Sequence, residues 1–190
     1  MAQSDDAFFS VASQFEVLLD PIEPDRLWLE PEALRASMPS AFQLMSQVSD
    51  LEQHCLPLLK GLEQHAQGLA EYLTLQSQKI DLVLQHQLAQ DPNARWRAQG
   101  LRFGGSGVSV VVPEPLPQGT ALAMRLFLPK EQVAAYAHGE VQQCSPNELG
   151  MVAEIHFSAI LEADQERLVR ASLLVQQRHL RQRAQQRAGS

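Results

Sequence analysis

Residues 103–129 read FGGSGVSVVVPEPLPQGTALAMRLFLP, and around them the rest of the chain falls into place. A valine-rich run, Val108 to Val112, leads through Pro113, Pro115 and Pro117 to Gly119; a second run, Ala121 to Leu128, stops at Pro129. Short runs of β-branched and aromatic residues bounded by glycine and proline are strand signals. The same character extends to both sides, in RWRAQGLRF before this stretch and in HGEVQQC and LGMVAEIHF after it. Five short strands at this spacing predict a small antiparallel barrel within residues 94–160.

Upstream, FFSVASQFEVLL predicts one more strand near residues 8–19, closed by Pro21, Pro24 and Pro31. Residues 22–32 then form a connector in which Leu27, Trp28 and Leu29 are expected to pack. From Ser40 to Gln90 the apolar residues recur at helical spacing, and the only breakers are Pro57, Gly61 and Gly68. One heptad position collects Met45, Glu52, Leu59, Ala66, Leu73, Ile80 and Gln87; the other collects Val48, Cys55, Leu62, Leu69, Gln76 and Val83. Ten of these thirteen are apolar, which predicts a coiled coil in a helical insertion over residues 33–90. Pro57 either kinks this helix or opens its second part. Residues 58–90 alone would span about 50 Å, more than a small barrel can cover, so the expected seam (Leu59, Leu62, Ala66, Leu69, Leu73, Gln76, Ile80 and Val83) calls for a second copy. The alternative is a hairpin on the chain's own C-terminal helix.

That C-terminal helix is expected at 162–188. Leu161, Leu168 and Val175 recur seven apart; Glu162, Asp164 and Glu166 fill the first turns, and six arginines follow from Arg167 to Arg187. Acids first and bases last complement the helix dipole. The arginine-rich tail would suit RNA or an acidic partner, though a solvated helix end is the commoner use.

Composition narrows the function. The chain has 190 residues, 19% of them charged, with a net charge of −7, which fits a single domain with an elaboration and disfavours a general binder of DNA or anionic membranes. The N-terminus is acidic and no 18-residue apolar stretch occurs, so neither a signal peptide nor membrane insertion is expected. Two cysteines, Cys55 and Cys144, predict reduced thiols and a cytoplasmic setting.

Catalytic and metal chemistry finds no constellation. His54, His65 and His86 lack a ligand at i+3 or i+4, and neither H-E-x-x-H nor C-x-x-C occurs. Cys55 beside His54 projects about 100° away from it on a helix and reads as a small buried hydrophobe. His156, between Ile155 and Phe157, is expected to face solvent. The chain is read as a non-enzyme without metal or cofactor.

The ordered set of elements resembles the PilZ domain family: a glycine-led strand, the P-LP-G turn at Pro115 to Gly119, a strand ending in proline, a G-x-V strand at Gly139 to Val141, a glycine-led strand into Phe157, and a final helix. With a first strand at Phe8 to Val11 and heptads in the insertion, the chain is similar to the atypical, tetramer-forming branch. The resemblance implies an α+β fold, one PilZ-like domain over residues 1–190, and a place in cyclic di-GMP signalling.

Usual members hold cyclic di-GMP with an R-x-x-x-R pair and a D/N-x-S-x-x-G turn; the guanidinium groups bond phosphate and guanine bidentately. Here Asp6 and Ser10 stand where the arginines belong, and Arg102, Gly104 and Gly107 stand at the acid, serine and glycine positions. Only Gly107 matches. A nucleotide site would have to be rebuilt from Arg95, Arg97 and Arg102 with Gly107. Strict alternation puts Arg102 on the face opposite Arg95 and Arg97, unless a bulge near Gly100 shifts the register. The expected function is a signalling adaptor that forms a homodimer or homotetramer and acts on an unknown protein partner. The alternatives are a cyclic di-GMP receptor using the non-standard arginines and a coiled-coil scaffold unrelated to PilZ.

Overall fold

The strands form where proline and glycine bound the apolar runs. In a computed structural model, which describes residues 10–45, 47, 68, 69, 71–73, 75, 76, 79, 80, 83 and 91–188, they are β1 (Ser10–Pro21), β2 (Trp96–Gly104), β3 (Gly107–Val112), β4 (Ala121–Leu128), β5 (Val133–Asn147) and β6 (Gly150–Ile160). All neighbours are antiparallel, and the order β1-β2-β3-β6-β5-β4 closes into a barrel through the pairing of β4 with β1. Closure leaves this sheet without free edges over its paired length. A 3₁₀ turn, Pro24–Arg26, and helix α1, Pro31–Ser37, follow β1; helix α2, Glu162–Ala188, ends the chain.

Two apolar clusters divide the burial. Inside the barrel, Val17, Leu19, Phe103, Val110, Leu122, Met124, Leu126, Ile155 and their neighbours meet Leu168, Ala171 and Val175 of α2, which plugs one end. Outside it, Leu34, Met38, Phe42 and Met45 cover Leu18, Ala123, Phe127, Ala134 and Tyr136. Phe42 packs on Phe127 and Tyr136 with ring centroids 5.8 and 6.0 Å apart. Residues 31–45 thus roof the outer face of β4 and β5.

The roof explains departures from simple alternation. All eight residues of β4 are buried, since one face looks into the barrel and the other lies under the roof. The expected strand at HGEVQQC begins earlier, at Val133, because Ala134 and Tyr136 are needed on the roofed face. Helix starts at Pro31 rather than 33, pauses at Met38 and Pro39, and resumes over residues 40–45. Met45, expected in the coiled-coil seam, packs in the outer cluster instead. Of the connector trio, Leu27 is buried and Leu29 packs at the cluster's margin, but Trp28 is 73% exposed.

The expected coiled coil falls largely outside the described residues, as do Leu59, Leu62 and Ala66. Leu69, Leu73, Gln76, Ile80 and Val83 are helical, and the four apolar ones are exposed. Helix α2 spans the residues expected of it.

Candidate functional site

Arg102 faces outward although strict alternation would turn it inward. The pairing of β2 with β3 shifts register between Gly100 and Arg102, and that of β1 with β2 shifts between Ala12 and Phe15. The bulge adds one residue and puts Arg97 and Arg102 both on the outside, with Ala98, Gly100 and Phe103 inward or buried. Gly100 admits the Phe15 ring against its backbone, where a Cβ would collide with it. That ring packs edge-on against Phe103 at 5.6 Å.

On the β1–β2–β3–β6 wall, Ser10, Arg102, Val108, Ser109, Glu154 and His156 line a pocket of about 220 Å³. Arg102 Nε donates to Ser10 Oγ at 2.9 Å, and Nη2 donates to the Ser10 carbonyl at 3.0 Å. The two motif positions, Ser10 from the first and Arg102 from the second, therefore meet, and the serine takes two of the donors of the arginine fork. His156 is exposed, as its alternation implies. The pocket holds one guanidinium beside one carboxylate, and its volume lies below the roughly 300 Å³ at which sites for drug-sized ligands begin. Gly107, the only position that matches the family motif, has a structural reason of its own: a Cβ there would run into the Ile155 carbonyl oxygen of β6.

The other two arginines lie elsewhere. Arg97 lines a groove of about 520 Å³ with Gln14, Phe15, Glu16, Ala98, Gln99 and Pro129, roughly 15 Å along the strand from Arg102. Arg95 sits over the Trp96 ring at 5.7 Å, and its backbone N–H donates to Asp20 Oδ1 at 2.8 Å. The three arginines do not converge on one pocket.

The polar chemistry that does converge lies on the roofed wall. Arg125, buried in the middle of β4, pairs with both Asp20 at the end of β1 and Asp91 at the return of the chain. The Asn93 backbone N–H and then Arg125 hold the Asp91 carboxyl below its usual pKa. Directly opposite Arg125 on β5 stands Tyr136, and two positions further on the same face His138 reaches the segment that follows β1. His138 Nδ1 donates to the Arg26 carbonyl at 2.6 Å, which leaves Nε2 to accept from the Tyr136 hydroxyl at 3.1 Å. Burial lowers the His138 pKa and raises that of Tyr136. Burial favours the neutral ring of His138 and outweighs the Arg26 carbonyl, which favours the charged one. Ser158 Oγ adds a bond to the Leu27 carbonyl at 2.6 Å.

Among the described residues, no group of three or more His, Cys, Asp or Glu could hold a metal ion, and no helix is long and apolar enough to cross a membrane. Cys144 is a free thiol.

No protein-family model and no curated protein matches the sequence. Solved structures do match. A tetrameric PilZ-domain protein of Xanthomonas campestris, self-assembled through a helical bundle, superposes with a TM-score of 0.51 at 15% identity, over 94% of this chain and 92% of that one. The Bacillus subtilis inhibitor of motility MotI/DgrA matches 44% of this chain and 43% of its own with a TM-score of 0.40 at 20% identity. A six-stranded closed barrel plugged by its C-terminal helix, aligned along nearly the whole chain with the Xanthomonas protein, gives this chain the fold of a PilZ domain.

Proposed function

We propose that the chain is a non-catalytic adaptor in cyclic di-GMP signalling, assembled into a homo-oligomer through residues 33–90, with the nucleotide positions altered beyond ordinary use. The observation that carries this reading is the exposure, in a single chain, of Leu69, Leu73, Ile80 and Val83 by 54, 42, 52 and 67%, at the positions of the heptad seam. Isolated from a partner, such a stripe leaves large apolar side chains in water; a bundle buries them. The helical bundle of the Xanthomonas neighbour supports the same arrangement. The altered nucleotide positions are supported by Ser10 and Arg102, which bond to each other, and by the wide spacing of Arg95, Arg97 and Arg102. A cytoplasmic setting and an unidentified protein target complete the reading.

Light scattering on the full chain tests the assembly. The expected result is a dimer or tetramer that Leu73→Asp dissociates; a monomer at tens of micromolar defeats the proposal. Calorimetric titration with cyclic di-GMP tests the second half. No heat is expected at ligand concentrations up to about 100 μM. Binding below that range that is lost with Arg97→Ala or Arg102→Ala would make the chain a receptor instead.

A further inference from the structure

Helix α2 leaves the barrel before it ends. Val175 is its last residue in the interior cluster, and every residue from Leu180 to Gln186 is exposed. From Arg167 onward the chain has six arginines and no acid, a formal +6. Nine of its 15 basic residues and all 22 acids remain for residues 1–166, a formal −13. Arg178 is held within the chain by Glu131. Arg181 and Arg183 make no ion pair with any described residue. Leu173 and Leu180, 46 and 58% exposed and seven residues apart, share one face of this arm.

A surface of opposite character lies at Trp28. The indole is exposed while the backbone before it is fixed: the Arg26 carbonyl accepts from His138, the Leu27 carbonyl accepts from Ser158, and the Leu27 side chain is buried. Exposed Glu23, Asp25, Glu30 and Glu32 flank it in sequence, none paired with a described residue. An exposed indole on an anchored backbone, with four acids within five residues of it, suits guanidinium, whose plane stacks on the ring while its N–H groups bond carboxylates. The chain already places Arg95 over Trp96 in this way.

We infer that the arginine arm of α2 in one copy docks on the Trp28 strip of a second copy. The two surfaces belong to different elements, so copies join either reciprocally, arm to strip twice in a closed pair, or head-to-tail with one arm and one strip left free for the next copy. The contact is electrostatic and does not depend on the heptad seam. Salt weakens it, whereas an apolar seam is little affected.

The test uses the full chain carrying Leu73→Asp, so that seam association and arm association are read separately. Light scattering in about 50 mM salt is expected to show concentration-dependent growth in mass that about 500 mM salt removes. Arg181→Glu with Arg183→Glu, or Asp25→Lys with Glu30→Lys, is expected to raise the dissociation constant about tenfold or more, and Trp28→Ala to weaken it as well. All these side chains are exposed, so unchanged circular dichroism and melting serve as folding controls. Mixing the two charge-reversed variants is decisive: each alone sets like charge against like, and the mixture pairs a reversed arm with a reversed strip. Restored association supports the inference. A mixture no larger than its components, or growth in mass indifferent to salt, overturns it.

Discussion

The two walls of the barrel use their outer faces in opposite ways. On β2 and β6 the exposed outer side chains are polar, with Arg97, Gln99, Arg102, Glu154 and His156 interspersed with core residues. On the β4–β5 wall the outer face is apolar and roofed by residues 31–45. Its polar side chains Arg125 and His138 have partners in the segments before and after residues 46–90, and Tyr136 gives its proton to His138. One wall is a surface and the other a mounting plate. The contrast teaches that the chain invests its buried polar chemistry in anchoring the segments on either side of residues 46–90, while the other wall carries one small pocket with a single arginine beside a single carboxylate.

The comparison is sharpened first in the interior, where both walls meet. Leu126→Ala should cost about 4 kcal/mol in urea unfolding, because a fully buried side chain would leave a cavity in a closed barrel. Arg125→Met comes next, at about 3 kcal/mol, since it leaves two carboxylates without their buried partner; Asp20 and Asp91 are part-exposed and hydrate, which keeps the cost at the lower end. A loss under about 0.5 kcal/mol would break the idea of a polar mounting.

The third effect is smaller and depends on pH. The folded chain favours neutral His138 with a lowered pKa, whereas the unfolded chain titrates near the ordinary histidine value of 6.5. Below that pH the unfolded state gains a proton that the folded state refuses. Stability is therefore complete above about pH 6.5 and falls as the pH drops toward the folded pKa. His138→Gln should flatten this slope in unfolding midpoints compared between pH 7.5 and 5.5. Asp91, with its pKa lowered from 3.8, acts only in a more acidic window. Least of all, Arg102→Ala on β2 should shift stability by no more than about 0.5 kcal/mol. A larger loss would mean that its bonds to Ser10 brace the barrel.

Much of this architecture was legible in the sequence. Proline and glycine marked the strand ends, and the bulge near Gly100 that turns Arg102 outward was foreseeable from the glycine. What escaped depends on tertiary cover. The alanines at 134, 135 and 137 carry weak strand preference, and only the roof and the barrel interior make them strand residues. Trp28 looked like a packing residue because large aromatics usually are, and nothing local revealed that its neighbours alone are anchored. The mounting groups leave a readable trace: an arginine within ALAMRLFL, and Tyr136 and His138 two apart on one face of an apolar strand, each demand a buried partner. The partners, Asp20, Asp91 and the Arg26 carbonyl, lie 34 to 112 residues away and cannot be read from spacing.

Asp20 and Asp91 bracket the insertion, yet both end on the same guanidinium. The chain therefore departs from the barrel and returns to it at nearly one point. Loop-closure entropy rises only by about 0.6 kcal/mol for each doubling of length, so a barrel sealed in this way is almost indifferent to how long the intervening chain is. The length of the chain between the roof residues 31–45 and Asp91 is then a free variable, open to lengthening or shortening while the six strands stay as they are.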